Sequence, residues 1–139
     1  MIRSMADPVE TLSRVPLFAG VRRRELKRLV ERMSERTFAE GEVAVEEGRG
    51  GAGFWLIQDG NATVSIAGEI IRTLGPGEYF GEIALIDSGP RSATIVATTD
   101  LRCQGLTAWE FRPFIEEHPE VAWPMLETLA SRLRDAERR

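Results

Sequence analysis

Phe80-Gly81-Glu82-Ile83-Ala84-Leu85, followed by Asp87-Ser88-Gly89-Pro90-Arg91-Ser92-Ala93-Thr94, interrupts a chain otherwise patterned as short strands. The apolar run led by Gly81 and Glu82 predicts a single helical turn. The first amides of such a turn lack intrahelical partners and, with the local dipole, favour an anion. Gly81 lets a ligand approach the main chain closely. Arg91 follows a Gly-Pro turn and precedes a strand, and its planar fork suits a phosphate through two parallel hydrogen bonds. Glu82 offers a carboxylate to a sugar hydroxyl. Taken singly, Glu82 is a first-turn acid and Arg91 a turn-flanking surface charge. Together, in this order, they form the minimal polar kit for a nucleotide.

The flanking sequence predicts the frame around this segment. From about residue 34 to 106, short alternating or β-branched runs recur: Val43–Val45, Phe54–Ile57, Ala62–Ile66, Ile70–Leu74, Ala93–Ala97 and Leu101–Leu106. Asp59-Gly60 reads as a hairpin pair, Gly68 separates two strands, and Gly75-Pro76-Gly77 breaks the chain again. Many short strands with glycine punctuation predict an antiparallel β-roll of the jelly-roll kind.

Helices flank this roll, at about 7–33 and 107–139. Asp7-Pro8 reads as a capped helix start, Val15-Pro16-Leu17-Phe18 as a break, and Arg22 to Met33 as amphipathic through Leu26, Leu29, Val30 and Met33. Thr107-Ala108-Trp109-Glu110 is a capping box opening a helix to about Glu117. His118-Pro119 interrupts, and a last helix carries Pro124 in its first turns. Ala122, Leu126, Leu129, Leu133 and Ala136 on that helix fit either packing on the roll or a homodimer seam. The fold class is α+β, mainly β, and the chain reads as one domain over 1–139.

The segment from Phe80 to Ala93 resembles the phosphate-binding cassette of the cyclic nucleotide-binding domain family, found in catabolite activator proteins and protein kinase A regulatory subunits. Gly41, Gly48, Gly60, Gly77 and Gly81 stand where that family's roll turns. The resemblance implies that Glu82 binds the ribose 2′-hydroxyl and Arg91 the cyclic phosphate. It implies a hydroxyl and main-chain contact from Ser92 beside Ala93, and phosphate-facing amides at Ile83 and Ala84. The expected ligand is cAMP, with cGMP close behind, and no further cofactor is expected. In the family's transcription factors the last helix leads into a helix-turn-helix, and this chain stops at Arg139. Where the catabolite activator contacts adenine through hydroxyl residues, an ungapped match places Ala136 and Glu137. Arg134 and Glu137 are the candidate base contacts.

Composition narrows the function classes. The 139 residues are 42% hydrophobic and 29% charged, with a formal net charge of −4. That balance opposes general nucleic-acid binding, which needs basic residues in place of counterions. No apolar stretch is long enough to span a bilayer and no signal peptide is visible, so no membrane partner is expected. The single cysteine, Cys103, reads as a buried, inert thiol in a cytoplasmic protein. Met5 competes with Met1 as the start. One histidine, His118, reads as a cap or surface group, which disfavours a cupin-type metalloenzyme, and no metal site is expected. Trp55, Trp109 and Trp123 read as packing residues, with Trp123 also placed to close over a ligand. Arg22-Arg23-Arg24 reads as a solvated face. No nucleophile–base pair suggests an enzyme. The expected role is a sensor or regulatory module acting on an effector protein through its C-terminal helices. The alternatives are an interaction domain with an empty pocket, or the sensory part of a transcription regulator.

Overall fold

The computed structural model describes residues 6–50 and 53–138; the choice between Met1 and Met5 lies outside them. Helix α1 (Pro8–Arg14) starts as expected, with the Asp7 carboxylate accepting from the Val9 amide at 3.0 Å and Pro8 in the first turn. A proline is tolerated there because its missing N–H would be unpaired in any case. A 3-10 turn, Pro16–Phe18, forms the break, and α2 (Arg23–Arg32) follows. Leu26 and Leu29 are buried on its inner face, while Arg22, Arg23 and Arg24 are exposed, as their charges require.

Among the described residues eight strands follow or interleave: β1 (Ser34–Phe38), β2 (Val43–Val45), β3 (Gly53–Asp59), β4 (Ala62–Ile66), β5 (Glu69–Leu74), β6 (Tyr79–Phe80), β7 (Thr94–Ala97) and β8 (Leu101–Thr107). They form two antiparallel sheets in the orders β1-β8-β3-β6 and β2-β7-β4-β5. Helix α3 (Ala84–Asp87) lies between β6 and β7, and α4 (Ala108–Glu117) follows β8. A 3-10 turn (Pro119–Val121) then leads into α5 (Ala122–Glu137). The capping box at Thr107 forms with both partners in place, and Glu110 Oε1 accepts from the Thr107 amide at 3.0 Å. Pro124 falls in the first turn of α5, where no intrahelical bond is lost.

Strand β3 organises two cores. Its side chains alternate between the faces of the sheet. Phe54 and Leu56 join a cluster with the flanking helices, among them Leu12, Phe18, Leu26, Phe111 and Phe114. Ile57, with Trp55 packed alongside, enters the roll interior with Phe38, Leu74, Phe80, Ile95 and Cys103. The β1-β8-β3-β6 sheet is thus covered by helices on one face and by the second sheet on the other.

Several expectations are corrected. Asp59-Gly60 is no hairpin: it carries the chain from β3 in one sheet to β4 in the other. Gly60 is nevertheless demanded there, since its φ is +94° and a Cβ would lie 2.2 Å from the Asp100 carbonyl oxygen. The tight hairpin is β4–β5, where Ala67 and Gly68 both take positive φ. Strands β1 and β6 escape the alternation rule. The last expected strand before the helices reaches Thr107, and β7 starts at Thr94 rather than Ala93. Trp109 and Trp123 are 70% and 68% exposed and do not pack in a core; only Trp55 does.

Cys103 is buried, as expected, and burial pushes its thiol up to about 12, against a smaller opposing pull from Arg36. A thiol raised above its ordinary value of 9.0 stabilises the fold fully below about pH 9. That contribution is lost as pH rises from 9 towards 12, at up to about 1.4 kcal/mol per pH unit. Denaturation midpoints measured across this window are expected to fall less steeply in Cys103→Ala than in the parent. Iodoacetamide at pH 8 is expected to modify Cys103 only in denaturant. Rapid labelling of the folded protein would show the thiol to be accessible.

Candidate functional site

The segment from Phe80 to Ala93 closes one wall of a cavity of about 490 Å³ opening on the β2-β7-β4-β5 sheet. Its floor is apolar, from Val64 on β4, Leu74 on β5, Phe80 on β6 and Ile95 on β7. Gly81, Glu82, Ile83, Ala84, Arg91, Ser92 and Ala93 all line this one space. The size, and a lining that joins this apolar floor to several charged and polar groups, suit a small polar molecule.

Gly81 takes a left-handed φ of +89°, and a Cβ there would stand 2.5 Å from Arg91 Nη1 and 2.5 Å from the Gly53 carbonyl oxygen. Only glycine combines that backbone with that proximity. The main chain of Arg91 is clamped from the neighbouring loop. Its amide donates to the Arg49 carbonyl, and its carbonyl accepts from the Gly48 amide, both at 2.8 Å. The preceding turn is fixed by the Asp87 carboxylate, which accepts from the Gly89 amide at 2.8 Å.

The guanidinium of Arg91 is only partly satisfied. Nη2 donates to the Gly53 carbonyl at 2.7 Å. Nε is buried and has no partner among the described residues. Burial lowers the pKa of the group, yet a guanidinium stays charged at any ordinary pH. A buried cation with a spare donor is costly unless an acceptor arrives to meet it. Glu82 lines the same cavity and is half-buried.

One expected donor is corrected. The Ala84 amide does not stand free, because it donates to the Gly81 carbonyl at 3.2 Å as the short α3 turn winds back on itself. Ser92 is exposed at the cavity rim and Ala93 is half-buried. Arg134 and Glu137 are exposed near the end of α5 and are not among the lining residues; nor is Trp123.

Arg72, Tyr79 and Asp87, not expected at the site from sequence, also line the cavity. Arg72 stands two residues before Leu74 on β5, so the alternation that buries Leu74 also carries Arg72 to the same face. Burial raises the Tyr79 phenol, the Glu82 charge adds to that, and Arg132 and Arg72 oppose it. A larger cleft of about 750 Å³ lies between α3, α4 and α5. It is lined mainly by apolar groups and holds neither Glu82 nor Arg91.

A β-roll in which one cavity gathers Gly81 with no room for a Cβ, the partly satisfied Arg91 and the Glu82 carboxylate has the form of a small-ligand site. The family model for the cyclic nucleotide-binding domain matches residues 35–118, and the chain belongs to that family. It is 35% identical over 102 residues to a cAMP-dependent protein kinase regulatory subunit of Yarrowia lipolytica, covering 72% of this chain and 27% of that protein. It is 27% identical over 130 residues to a CRP-like cAMP-activated global transcriptional regulator of Mycobacterium tuberculosis, covering 90% of this chain and 58% of that one. The chain thus spans less than two thirds of either relative. Among solved structures, the N-terminal domain of a transcriptional regulator from Streptomyces coelicolor A3(2) superposes with a TM-score of 0.81 at 32% identity, covering 91% of this chain and 94% of that one. No helix among the described residues is long and apolar enough to cross a membrane.

Proposed function

We propose that this domain is a cytoplasmic, non-catalytic regulatory module that binds a cyclic nucleotide, cAMP in preference to cGMP, and passes the event to an effector through its C-terminal helices. The observation that carries the reading is the buried Arg91 Nε without a partner among the described residues, beside Gly81 and in the same cavity as Glu82. A cyclic phosphate supplies acceptors for the spare Arg91 donors, and the Glu82 carboxylate accepts from the ribose hydroxyl. Gly81 keeps the cup open, and Ser92 closes its rim. The apolar floor of Val64, Leu74 and Ile95 excludes water from the sugar-phosphate. The preference for cAMP is supported by the two relatives, a cAMP-dependent kinase regulatory subunit and a cAMP-activated transcriptional regulator.

Helix α5 is the moving part of this proposal. It follows the turn at Pro119–Val121 and rests by Pro124 against Gly20, where a Cβ would meet Pro124 Cβ at 3.1 Å. A swing towards the cavity brings Arg132, with Arg134 and Glu137 beyond it, to the base. The ligand biases this swing only by its difference in affinity for the two positions. Leu126 and Leu133, 54% and 61% exposed on α5, support pairing with a second copy or docking on an effector. The reading as the sensory part of a transcription regulator is favoured by the match that covers 94% of the Streptomyces domain.

Thermal melting with cAMP, cGMP and linear 5′-AMP tests the proposal. At about a hundred times its dissociation constant, the true ligand adds roughly 2.7 kcal/mol. That corresponds to a melting shift of several degrees in a domain this size. The expected order is cAMP, then cGMP, with 5′-AMP inactive. No shift with either cyclic compound leaves an interaction domain with an empty pocket, and an equal shift with 5′-AMP removes the cyclic phosphate from the argument.

A further inference from the structure

Away from the cavity, Glu25 on α2, His118 at the end of α4 and Glu120 in the following 3-10 turn bring one nitrogen and two carboxylate oxygens within 4.8 Å of one another. We propose that these three side chains form a binding site for a divalent transition ion of the zinc type, which ties α2 to the α4–α5 junction. The donor set, one imidazole and two carboxylates, leaves a fourth tetrahedral position for water. Nitrogen and oxygen donors together suit zinc rather than magnesium or calcium, which take oxygen sets.

Two of the ligands are held in place. Glu25 is only 3% exposed, in the first turn of α2, a rare setting for a carboxylate. The His118 ring lies 4.8 Å from the Phe114 ring, and its Nδ1 stands 3.6 Å from Glu120 Oε1. Glu120 is more than half exposed and is free to swing inward, the movement that would gather the three donor atoms around an ion at bond lengths of about 2 Å.

The Glu25 oxygens already face Arg24 Nε at 3.5 Å and Arg28 Nη1 at 3.2 Å. A carboxylate offers about four lone-pair sites, so each oxygen keeps one for a metal. Both guanidinium groups are substantially solvated, which weakens their repulsion of an incoming cation. Because α5 grows directly from the turn that holds Glu120, a bound ion would restrain the start of that helix. The site needs no nucleotide and stands independently of the cavity reading.

Titration calorimetry of tag-free protein with zinc chloride at pH 7.5 tests it, with the visible absorption of added cobalt(II) as a second reading of the ligand set. One ion per chain is expected, with a raised melting temperature that a chelator reverses. Binding is expected to be lost in His118→Ala and weakened in Glu120→Gln, with circular dichroism unchanged in both. These two variants carry the test because Glu25→Gln alters a buried group. Cys103→Ser is expected to bind as the parent does. Absence of saturable binding overturns the proposal, as does binding retained in His118→Ala or lost in Cys103→Ser.

Discussion

Arg91→Ala is expected to weaken cyclic nucleotide binding by on the order of a hundredfold while leaving the melting temperature of the free protein unchanged or slightly higher. The two halves of that result have one cause. In the free domain the guanidinium is desolvated, holds one bond to the Gly53 carbonyl at 2.7 Å, and keeps a buried Nε without a partner. Removing it relieves a charge that the protein alone does not fully satisfy. In the complex the same group meets a phosphate, and losing a desolvated, charge-assisted partner costs about 3 kcal/mol, or roughly a hundredfold in Kd. Arg91→Lys is expected to recover little, because an ammonium cannot hold Gly53 and a phosphate with one planar fork. Calorimetric titration with cAMP and melting of the free proteins check both halves. A variant that binds normally would remove Arg91 from the site. A free protein strongly destabilised by the change would make the arginine a structural strut instead.

This division between cost and use explains why the site was legible in sequence. Gly81, Glu82, Arg91 and Ser92 lie on one continuous segment, so the turn that opens the cup and the group that fills it are read together. Arg72 and Tyr79 were missed because they reach the cavity from β5 and β6, and only the pairing of strands brings them there. Glu25 and His118 were missed as neighbours because α2 and the end of α4 are far apart in sequence and meet only in the folded chain. In the fold, β1 was invisible because Ser34-Glu35-Arg36-Thr37 is polar on both faces, and its extended form comes from pairing with β8. Asp59-Gly60 misled because a glycine with positive φ serves a crossing between sheets as well as a hairpin; the distinction lies in the Asp100 carbonyl packed against it. The capped helices were legible to within a residue or two, since caps are local chemistry.

Gly105→Ala is expected to destabilise the domain by about 3 kcal/mol or more, through overpacking of the roll. Gly105 and Trp55 are register partners on β8 and β3, and the indole lies flat where a side chain would otherwise stand. A Cβ at position 105 would fall 1.8 Å from Trp55 Cζ3, so the whole ring must move. It has little room: Phe38 meets it edge-on at 5.6 Å, and its far edge would be 2.9 Å from a Cβ at Gly53. A melting temperature lower by on the order of 10 °C follows for a domain this size. Combining Gly105→Ala with Trp55→Leu separates crowding from any other cause, since the pair should cost less than the sum of its parts. Additive losses, or a Gly105→Ala protein that melts with the parent, would show that the ring is not the obstacle. The same displacement presses on Gly53, whose carbonyl holds Arg91, so in the single variant ligand affinity should fall along with stability.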